Sequence, residues 1–172
     1  MAGPDGEDTA RRDEAAREAV RALRERVARA DEDAIALILT EARTHYGWQD
    51  RPVPDETLRA VYDLARMGPT SMNQQPMRLV FVRSPEAKDR LLPLVSEGNK
   101  PKVTAAPVTA IVGYDIAFHE RLPEVFPVAP KAREGYAKDP ERARINAFRN
   151  GTLQGAYLII AARALGLDCG PM

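Results

Sequence analysis

The sequence predicts an α+β fold in which helices dominate and a small sheet completes the core. Three observations lead to this prediction. Several segments space their apolar residues as helices do, two short apolar runs are typical of strands, and one long apolar helix candidate lies near the C-terminus. The chain has 172 residues, 44% of them hydrophobic, which suits one domain of ordinary size with a genuine core.

Composition and charge exclude several classes of function. The chain carries 25 basic and 25 acidic residues, so no overall field attracts nucleic acid or an anionic membrane. Its single cysteine, Cys169, allows no intramolecular disulfide and fits a reducing compartment, and only two histidines are present for a Cys/His metal cage. No apolar run is long enough to cross a membrane, and the N-terminus lacks the apolar core of a signal peptide. We therefore expect a cytoplasmic protein without membrane or nucleic-acid partners.

Residues 1–33 are predicted to form a charged helical extension, with a flexible segment as the alternative, next to a folded domain over residues 34–172. From Asp13 onward, Val20, Leu23 and Val27 recur at helical spacing among alternating Arg and acidic residues. The interleaved acids favour a solvated helix over a nucleic-acid-binding arm, and a dimer contact is a further alternative.

A more apolar helix is predicted over residues 31–43, and Gly47, Pro52 and Pro54 interrupt the chain after it. Asp55 is the predicted N-cap of the next helix, which should end before Gly68 and Pro69.

Two strands are predicted. The first is a buried run over residues 79–82. A short helix follows, with Ser84 as its cap and Pro85 in its first position. The second strand, residues 106–115, is apolar nearly throughout, so we expect other elements to cover both of its faces.

Residues 116–140 contain four prolines and read as a long excursion, which in a compact domain is often a lid or a binding loop. Its aromatic residues include Phe118, Phe126 and Tyr136, and Tyr114 lies just before it. We predict that these side chains either line an acceptor pocket or pack in the core. The longest helix candidate then covers residues 143–165, with Gly166 as its C-cap. Because two strands alone make a marginal sheet, we expect the chain to be the front part of a longer protein.

Three separated segments point toward one ligand: "EARTHYGWQDRPV", "GPTSMNQQP" and "LGLDCGPM". The guanidinium of Arg43 beside the hydroxyl of Thr44 suits a phosphate. Ser71 and Asn73, on a chain bent by prolines, suit the edge of a heterocycle. The bland alternatives are that Asn73 and Gln75 satisfy turn backbone, and that Arg43 complements a helix end.

These segments together resemble the nitroreductase family of flavin enzymes over about residues 35–172. That family has an Arg-Arg-Ser-x-Arg-x-Phe stretch followed by Pro-Val, and "ARTHYGWQDRPV" falls on it in register, with Tyr46 in the place of the last basic residue. The family's Pro-Ser-x-x-Asn-x-Gln-Pro motif is the more specific one, and it matches Pro69, Thr70, Asn73, Gln75 and Pro76. The branch that the segments resemble most includes malonic semialdehyde reductases.

The resemblance implies a nitroreductase-like fold with a mixed sheet between helices and a long central helix, in a homodimer with FMN at the subunit interface. It implies an FMN-dependent oxidoreductase that takes electrons from NADPH or NADH and reduces a small-molecule acceptor, malonic semialdehyde first. No side chain is predicted to be catalytic. The residues predicted to bind the cofactor are Arg43, Thr44, Tyr46, Pro69, Thr70, Ser71, Asn73, Gln75, Gly170 and Pro171.

The sequence departs from the family at the predicted phosphate site, where Arg43 is the single basic residue of the first motif. Two alternatives remain within the resemblance: a nitroaromatic or quinone reductase, and a truncated, non-catalytic flavin-binding remnant. A hydrolase that uses Ser71 as nucleophile is disfavoured, because no strand-elbow motif surrounds that residue.

Overall fold

The computed structural model describes the backbone of residues 4–172, and it divides the chain into two compact units between Ala36 and Leu37. The α-helices and strands are α1 (Pro4–Arg26), α2 (Glu32–Ile35), α3 (Asp55–Ala65), β1 (Met77–Val82), α4 (Pro85–Leu91), α5 (Lys100–Ala105), β2 (Thr109–Tyr114), α6 (Leu122–Val125), α7 (Ala132–Ala137) and α8 (Pro140–Ala164). Short 3-10 turns and one π-helical turn lie between them. Residues 1–3 of the predicted extension lie outside the described residues.

The first unit contains α1, a longer helix than the one predicted from Asp13. Its charges pair along the helix surface, for example Arg21 with Glu14 at 2.9 Å. Val20, Leu23 and Val27 are 57%, 47% and 52% exposed. The predicted helix is thereby confirmed. The boundary proposed at residue 33, and the role of this segment, stay predictions.

The helix predicted over residues 31–43 is shorter than expected. Asp31 caps it, since its Oδ1 accepts from the Ala34 amide at 2.7 Å. A π-helical turn over Ala36–Thr40 follows and ends the helical stretch. The Arg43 guanidinium donates to the carbonyls of Thr40 and Ala42 at 2.9 and 2.8 Å, so these groups are satisfied without a further helical turn.

α3 and α8 pack against each other and form the main core of the second unit. Its buried members are Val61, Ala65, Leu158, Ala161 and Ala162. The helix itself is confirmed, but the prediction of Asp55 as its N-cap is wrong. Pro54 occupies that position in extended conformation, and the Asp55 carboxylate pairs instead with Arg83 at 2.5 Å.

The two predicted strands pair with each other. They run antiparallel, with Met77 opposite Tyr114 and Val82 opposite Thr109. The sheet formed by the described residues is therefore antiparallel and two-stranded rather than mixed.

α8 covers one face of this sheet. The Tyr114 and Phe148 rings meet edge-on at 5.8 Å, and α8 passes close to Val112 at Gly155. On the opposite face Val80 and Ile111 stand across from each other, 58% and 42% exposed. The expectation that both faces of the second strand are covered was wrong for the described residues, because a run of apolar residues does not report how many elements pack on it.

The excursion over residues 116–140 is largely helical. It forms a 3-10 turn at Phe118–Arg121 and the helices α6 and α7, and it builds a second core with the first half of α8. Phe118 and Tyr136 are 1% and 4% exposed, so of the two alternatives for these aromatics, core packing is the correct one for both. Tyr114 remains 40% exposed.

α8 runs over 25 residues and confirms the predicted long helix. Asp139 caps its start, accepting from the Arg142 amide at 2.9 Å. Gly166 ends it at φ 77°, with Leu167 donating to Ala162 at 3.0 Å and Gly166 to Arg163 at 2.9 Å. This is a Schellman motif, which needs a residue tolerant of the left-handed conformation. Within residues 4–172, no helix combines the length and apolar character needed to cross a membrane.

Candidate functional site

The segment over residues 68–77 has an unusual backbone. Met72, Asn73 and Gln75 adopt φ of 52°, 49° and 47°, in the left-handed region that residues with a side chain rarely enter. Each such residue costs about 1–2 kcal/mol relative to a right-handed conformation. Three of them between two prolines mean that surrounding contacts impose this shape, and imposed strain concentrates at functional sites.

Two amide side chains on α8 impose it. Asn150 accepts from the Ser71 amide at 2.8 Å and donates to Gln74 Oε1 at 3.1 Å. Gln154 accepts from the Met77 amide at 2.9 Å and donates to Gln75 Oε1 at 2.6 Å. Asn150 and Gln154 are only 7% and 2% exposed, so the side-chain ends of these bonds lie away from water.

A third contact joins the 68–77 segment to the helical region over residues 116–140. Gln74, 2% exposed, donates from Nε2 to the Tyr136 hydroxyl at 3.0 Å. That hydroxyl in turn faces the Met72 sulfur at 3.8 Å. The side-chain nitrogen Nδ2 of Asn73 donates to the Val125 carbonyl at 2.9 Å. The segment is thus fixed between α8 and the second core.

Several predicted ligand-binding groups in this segment bond to one another. Thr70 Oγ1 accepts from the Gln75 amide at 3.2 Å, and Gln75 Nε2 donates to Asn73 Oδ1 at 2.9 Å. The Pro69 carbonyl accepts from the Tyr157 hydroxyl at 3.1 Å. Ser71 differs, because it is exposed and its hydroxyl has no partner among the described residues. Asn73 is also exposed, so both side chains are accessible to a ligand.

The structure brings the first and third predicted segments together. The His45 amide donates to the Cys169 carbonyl at 3.4 Å, and His45 Nε2 lies 3.4 Å from the Asp168 carboxylate. A Cβ added at Gly170 would stand 2.9 Å from the His45 carbonyl and 3.0 Å from the Trp48 ring. Only glycine allows this approach, so Gly170 holds the turn against residues 45–48. Pro171, which follows it, is exposed.

Arg43 remains available for an anion. One guanidinium nitrogen donates to local carbonyls, whereas Nε and the other nitrogen make no hydrogen bond or ion pair with the described residues. Thr44 beside it is exposed. Lys102 of α5 places its ammonium 4.5 Å from the centre of the Tyr46 ring, a cation–π contact that adds a second positive charge near this segment.

Cys169, in this turn, is partly buried and packs against the main core. Burial raises the pKa of its thiol, the nearby Arg163 opposes that effect, and Asp168 adds to it. The thiol therefore stays protonated near neutral pH and is a poor nucleophile. Trp48 Nε1, also in this region, is buried and has no partner among the described residues.

Within one chain the predicted site falls into two parts. Residues 43–48 meet residues 168–170, and the 68–77 segment lies on α8. No hydrogen bond or ion pair in the described part of the chain connects the two. In residues 4–172 there is also no group of three His, Cys, Asp or Glu side chains placed to hold a metal ion.

The sequence-based prediction missed Asn150, Gln154, Gln74 and Lys102, and it named Tyr136 for an acceptor pocket or the core but not as a partner of the 68–77 segment. A signal for two of them was present in "NGTLQ", which places two amides four residues apart, and so on one side, of the predicted long helix. Such amides on a buried face need partners, and here the partners are loop atoms.

Comparison with known proteins identifies relatives of the chain. The model of the family described as "Nitroreductase family" matches residues 39–172. A protein of Burkholderia lata is 57% identical over 141 residues, which are 82% of this chain and 72% of that protein. The HadB protein of Ralstonia pickettii is 56% identical over 142 residues, 81% of this chain and 72% of that protein. Both relatives carry the name "Putative NADH dehydrogenase/NAD(P)H nitroreductase".

Solved structures share the fold. A structure from Exiguobacterium sibiricum, described as a nitroreductase in complex with FMN, superposes with a TM-score of 0.73 at 19% identity, covering 84% of this chain and 76% of that one. A gut-bacterial enone reductase superposes with a TM-score of 0.68 at 20% identity, covering 80% and 73%. At these identities the likeness confirms the nitroreductase-like fold.

Proposed function

The chain belongs to the nitroreductase family, and from this premise we propose that it is an FMN-dependent NAD(P)H oxidoreductase. The observation that carries the proposal is the 68–77 segment. It holds three non-glycine residues in the left-handed region and leaves Ser71 and Asn73 exposed, as expected of a preorganised ligand-binding loop.

The residues present fit FMN. A phosphate needs cations and hydroxyl donors, which Arg43 and Thr44 supply, and Lys102 adds a positive charge beside Tyr46. A planar ring with polar edges suits the exposed hydroxyl of Ser71 and the amide of Asn73. The relatives' names, and the FMN complex of the Exiguobacterium sibiricum structure, support the same cofactor.

The protein's own residues bind and orient in this mechanism. Bound FMN would supply the two-electron redox chemistry, which asks for no acid–base pair from the protein. Arg43, Thr44 and Tyr46 would anchor the phosphate end. The 68–77 segment, with Pro69, Thr70 and Gln75 fixing its shape, would orient the ring. Gly170 and Pro171 would bound the remaining side. Since NAD(P)H and acceptor would use the same face in turn, we expect ping-pong kinetics.

We further propose a homodimer whose two chains complete each site. One chain leaves residues 43–48 and the 68–77 segment unconnected by any hydrogen bond or ion pair of its described residues. α8 also presents Leu153 and Ile160, which stand seven residues apart on one side of the helix and are 40% and 39% exposed, as a surface for a second copy. Sedimentation of the FMN-loaded protein tests this, and a monomer with full FMN affinity would contradict it.

For the acceptor we propose malonic semialdehyde, in line with the resemblance of the three segments. A nitroaromatic or quinone is the second candidate, because the names of the Burkholderia lata and Ralstonia pickettii relatives favour nitroreduction. A cytoplasmic location remains a prediction from the cysteine content.

The test begins with the visible absorption spectrum of the purified chain after FMN is added and the excess removed. We expect retained flavin bands, followed by NADPH or NADH oxidation that depends on an acceptor. Malonic semialdehyde and a nitroaromatic at equal concentration then rank the two acceptors by kcat/KM. Bound flavin without oxidation of either nicotinamide would favour a non-catalytic flavin-binding protein, and no bound flavin would overturn the proposal.

A further inference from the structure

Two side-chain amides of α8 hold the backbone of the 68–77 segment together. Asn150 and Gln154 stand four residues apart, so both project from the same side of the helix. Each amide makes the same two bonds to the 68–77 segment: its oxygen accepts one backbone N–H, and its nitrogen donates to one glutamine Oε1.

The two backbone contacts bracket the left-handed residues. Asn150 holds the amide of Ser71, Gln154 holds the amide of Met77, and all three positive-φ residues lie between these points. The anchored backbone cannot relax toward a right-handed turn without breaking one of these two hydrogen bonds. A broken bond here would leave an unpaired polar group away from water, which is costly.

We propose that Asn150 and Gln154 are positioning residues that force residues 71–77 into the left-handed shape that presents Ser71 and Asn73 to the cofactor. The inference rests on the proposed FMN site. It adds a cause for the shape of that site, in residues that touch the loop rather than the ligand.

The Gln154 contacts allow a sharp test. Gln154→Glu keeps an oxygen for the Met77 amide and the size of the side chain, but as a carboxylate it cannot donate to Gln75 Oε1. Gln154→Met removes both bonds at similar volume. Thr152→Ala is the matched control, since that exposed hydroxyl on α8 donates only to the Phe148 carbonyl.

We expect Gln154→Met, which loses the contact with the Met77 amide, to bind FMN about tenfold more weakly than the wild type, because only about one relaxed loop in ten would then hold the left-handed shape. Gln154→Glu keeps that contact and should bind FMN more tightly than Gln154→Met. The visible circular dichroism of any flavin that binds should also change, because the ring meets a relaxed loop. A general loss of stability would not change that spectrum in protein that remains folded and loaded. Thr152→Ala should match the wild type in both measurements.

Amide hydrogen exchange on the wild-type protein without FMN supplies a second measurement that does not depend on a variant folding. The Ser71 and Met77 amides should exchange as slowly as the interior amides of α8. Exchange at the rate of exposed loop amides would overturn the inference, as would unchanged FMN affinity and dichroism in folded Gln154→Met. A wild type that binds no FMN would instead overturn the proposed function, and slow exchange at Ser71 and Met77 would then still support the loop-holding role.

Discussion

The Tyr136 hydroxyl tests whether the buried polar cluster stabilises the protein. Tyr136→Phe keeps the ring, which packs edge-on against Phe118 at 5.0 Å, and removes one oxygen. That oxygen accepts from Gln74 Nε2 at 3.0 Å, and both residues are nearly inaccessible, at 4% and 2% exposed. The change therefore leaves the Gln74 amide donor buried without a partner.

The magnitude follows from that unpaired donor. Loss of one partner of a buried hydrogen bond costs about 1–3 kcal/mol, and here no apolar contact is lost with it. We expect the free energy of unfolding of the FMN-free protein to fall by about 1–2 kcal/mol, measured by urea denaturation with far-ultraviolet circular dichroism.

Tyr62→Phe is the matched control, because that tyrosine lies on α3 and is 43% exposed. It should change the free energy of unfolding by less than about 0.5 kcal/mol. A Tyr136→Phe protein as stable as this control would refute the reasoning, since the Gln74 amide would then need no partner from the second core.

Three further predictions concern the helix end, the phosphate site and the thiol. Gly166→Ala should lower the free energy of unfolding by about 1–2 kcal/mol, since φ of 77° strains any residue with a Cβ. Gly98→Ala, whose added Cβ also meets no neighbouring atom, should be near neutral, and equal effects of the two substitutions would contradict this reasoning. Arg43→Ala should weaken FMN binding about tenfold in a fluorescence titration, and Arg59→Ala on α3 should not, because a charge-assisted bond to phosphate is lost only in the first. Burial raises the pKa of the Cys169 thiol in the folded protein above its value in the unfolded protein. The neutral thiol therefore contributes stability at pH values below the unfolded-state pKa, and this contribution is lost as pH rises through the folded-state pKa. At pH 8 a thiol reagent should therefore react more slowly with native than with urea-unfolded protein, and equal rates would refute the shift.

Local signals predicted most of the helices and both strands correctly. Ser84 followed by Pro85 marks the start of α4, and its hydroxyl accepts from the Ala87 amide at 3.2 Å. Gly166 marks the end of α8. These features depend on neighbouring residues alone, so a sequence pattern contains them.

Local signals were insufficient where contacts with residues distant in sequence determine the structure. Asp55 looks like an N-cap, but its carboxylate pairs with Arg83, which lies between β1 and α4. The prolines of residues 116–140 predicted a long excursion. In the structure Phe118 and Tyr136 pack against α8, and this packing folds the segment into short helices. Local propensity describes what a segment prefers, and packing against distant residues outweighs that preference.

The sequence alone determined the family resemblance, the helical framework and the identity of the 68–77 segment as the feature to explain. Only the tertiary structure revealed that this segment is left-handed at three residues, and that Asn150 and Gln154 hold it so. It also separated Ser71, whose hydroxyl is accessible, from Thr70 and Gln75, whose polar groups bond within the segment. The physical reason is that residue types state which hydrogen bonds are available, whereas the partners are chosen by atoms that meet only after α8 has packed against the loop.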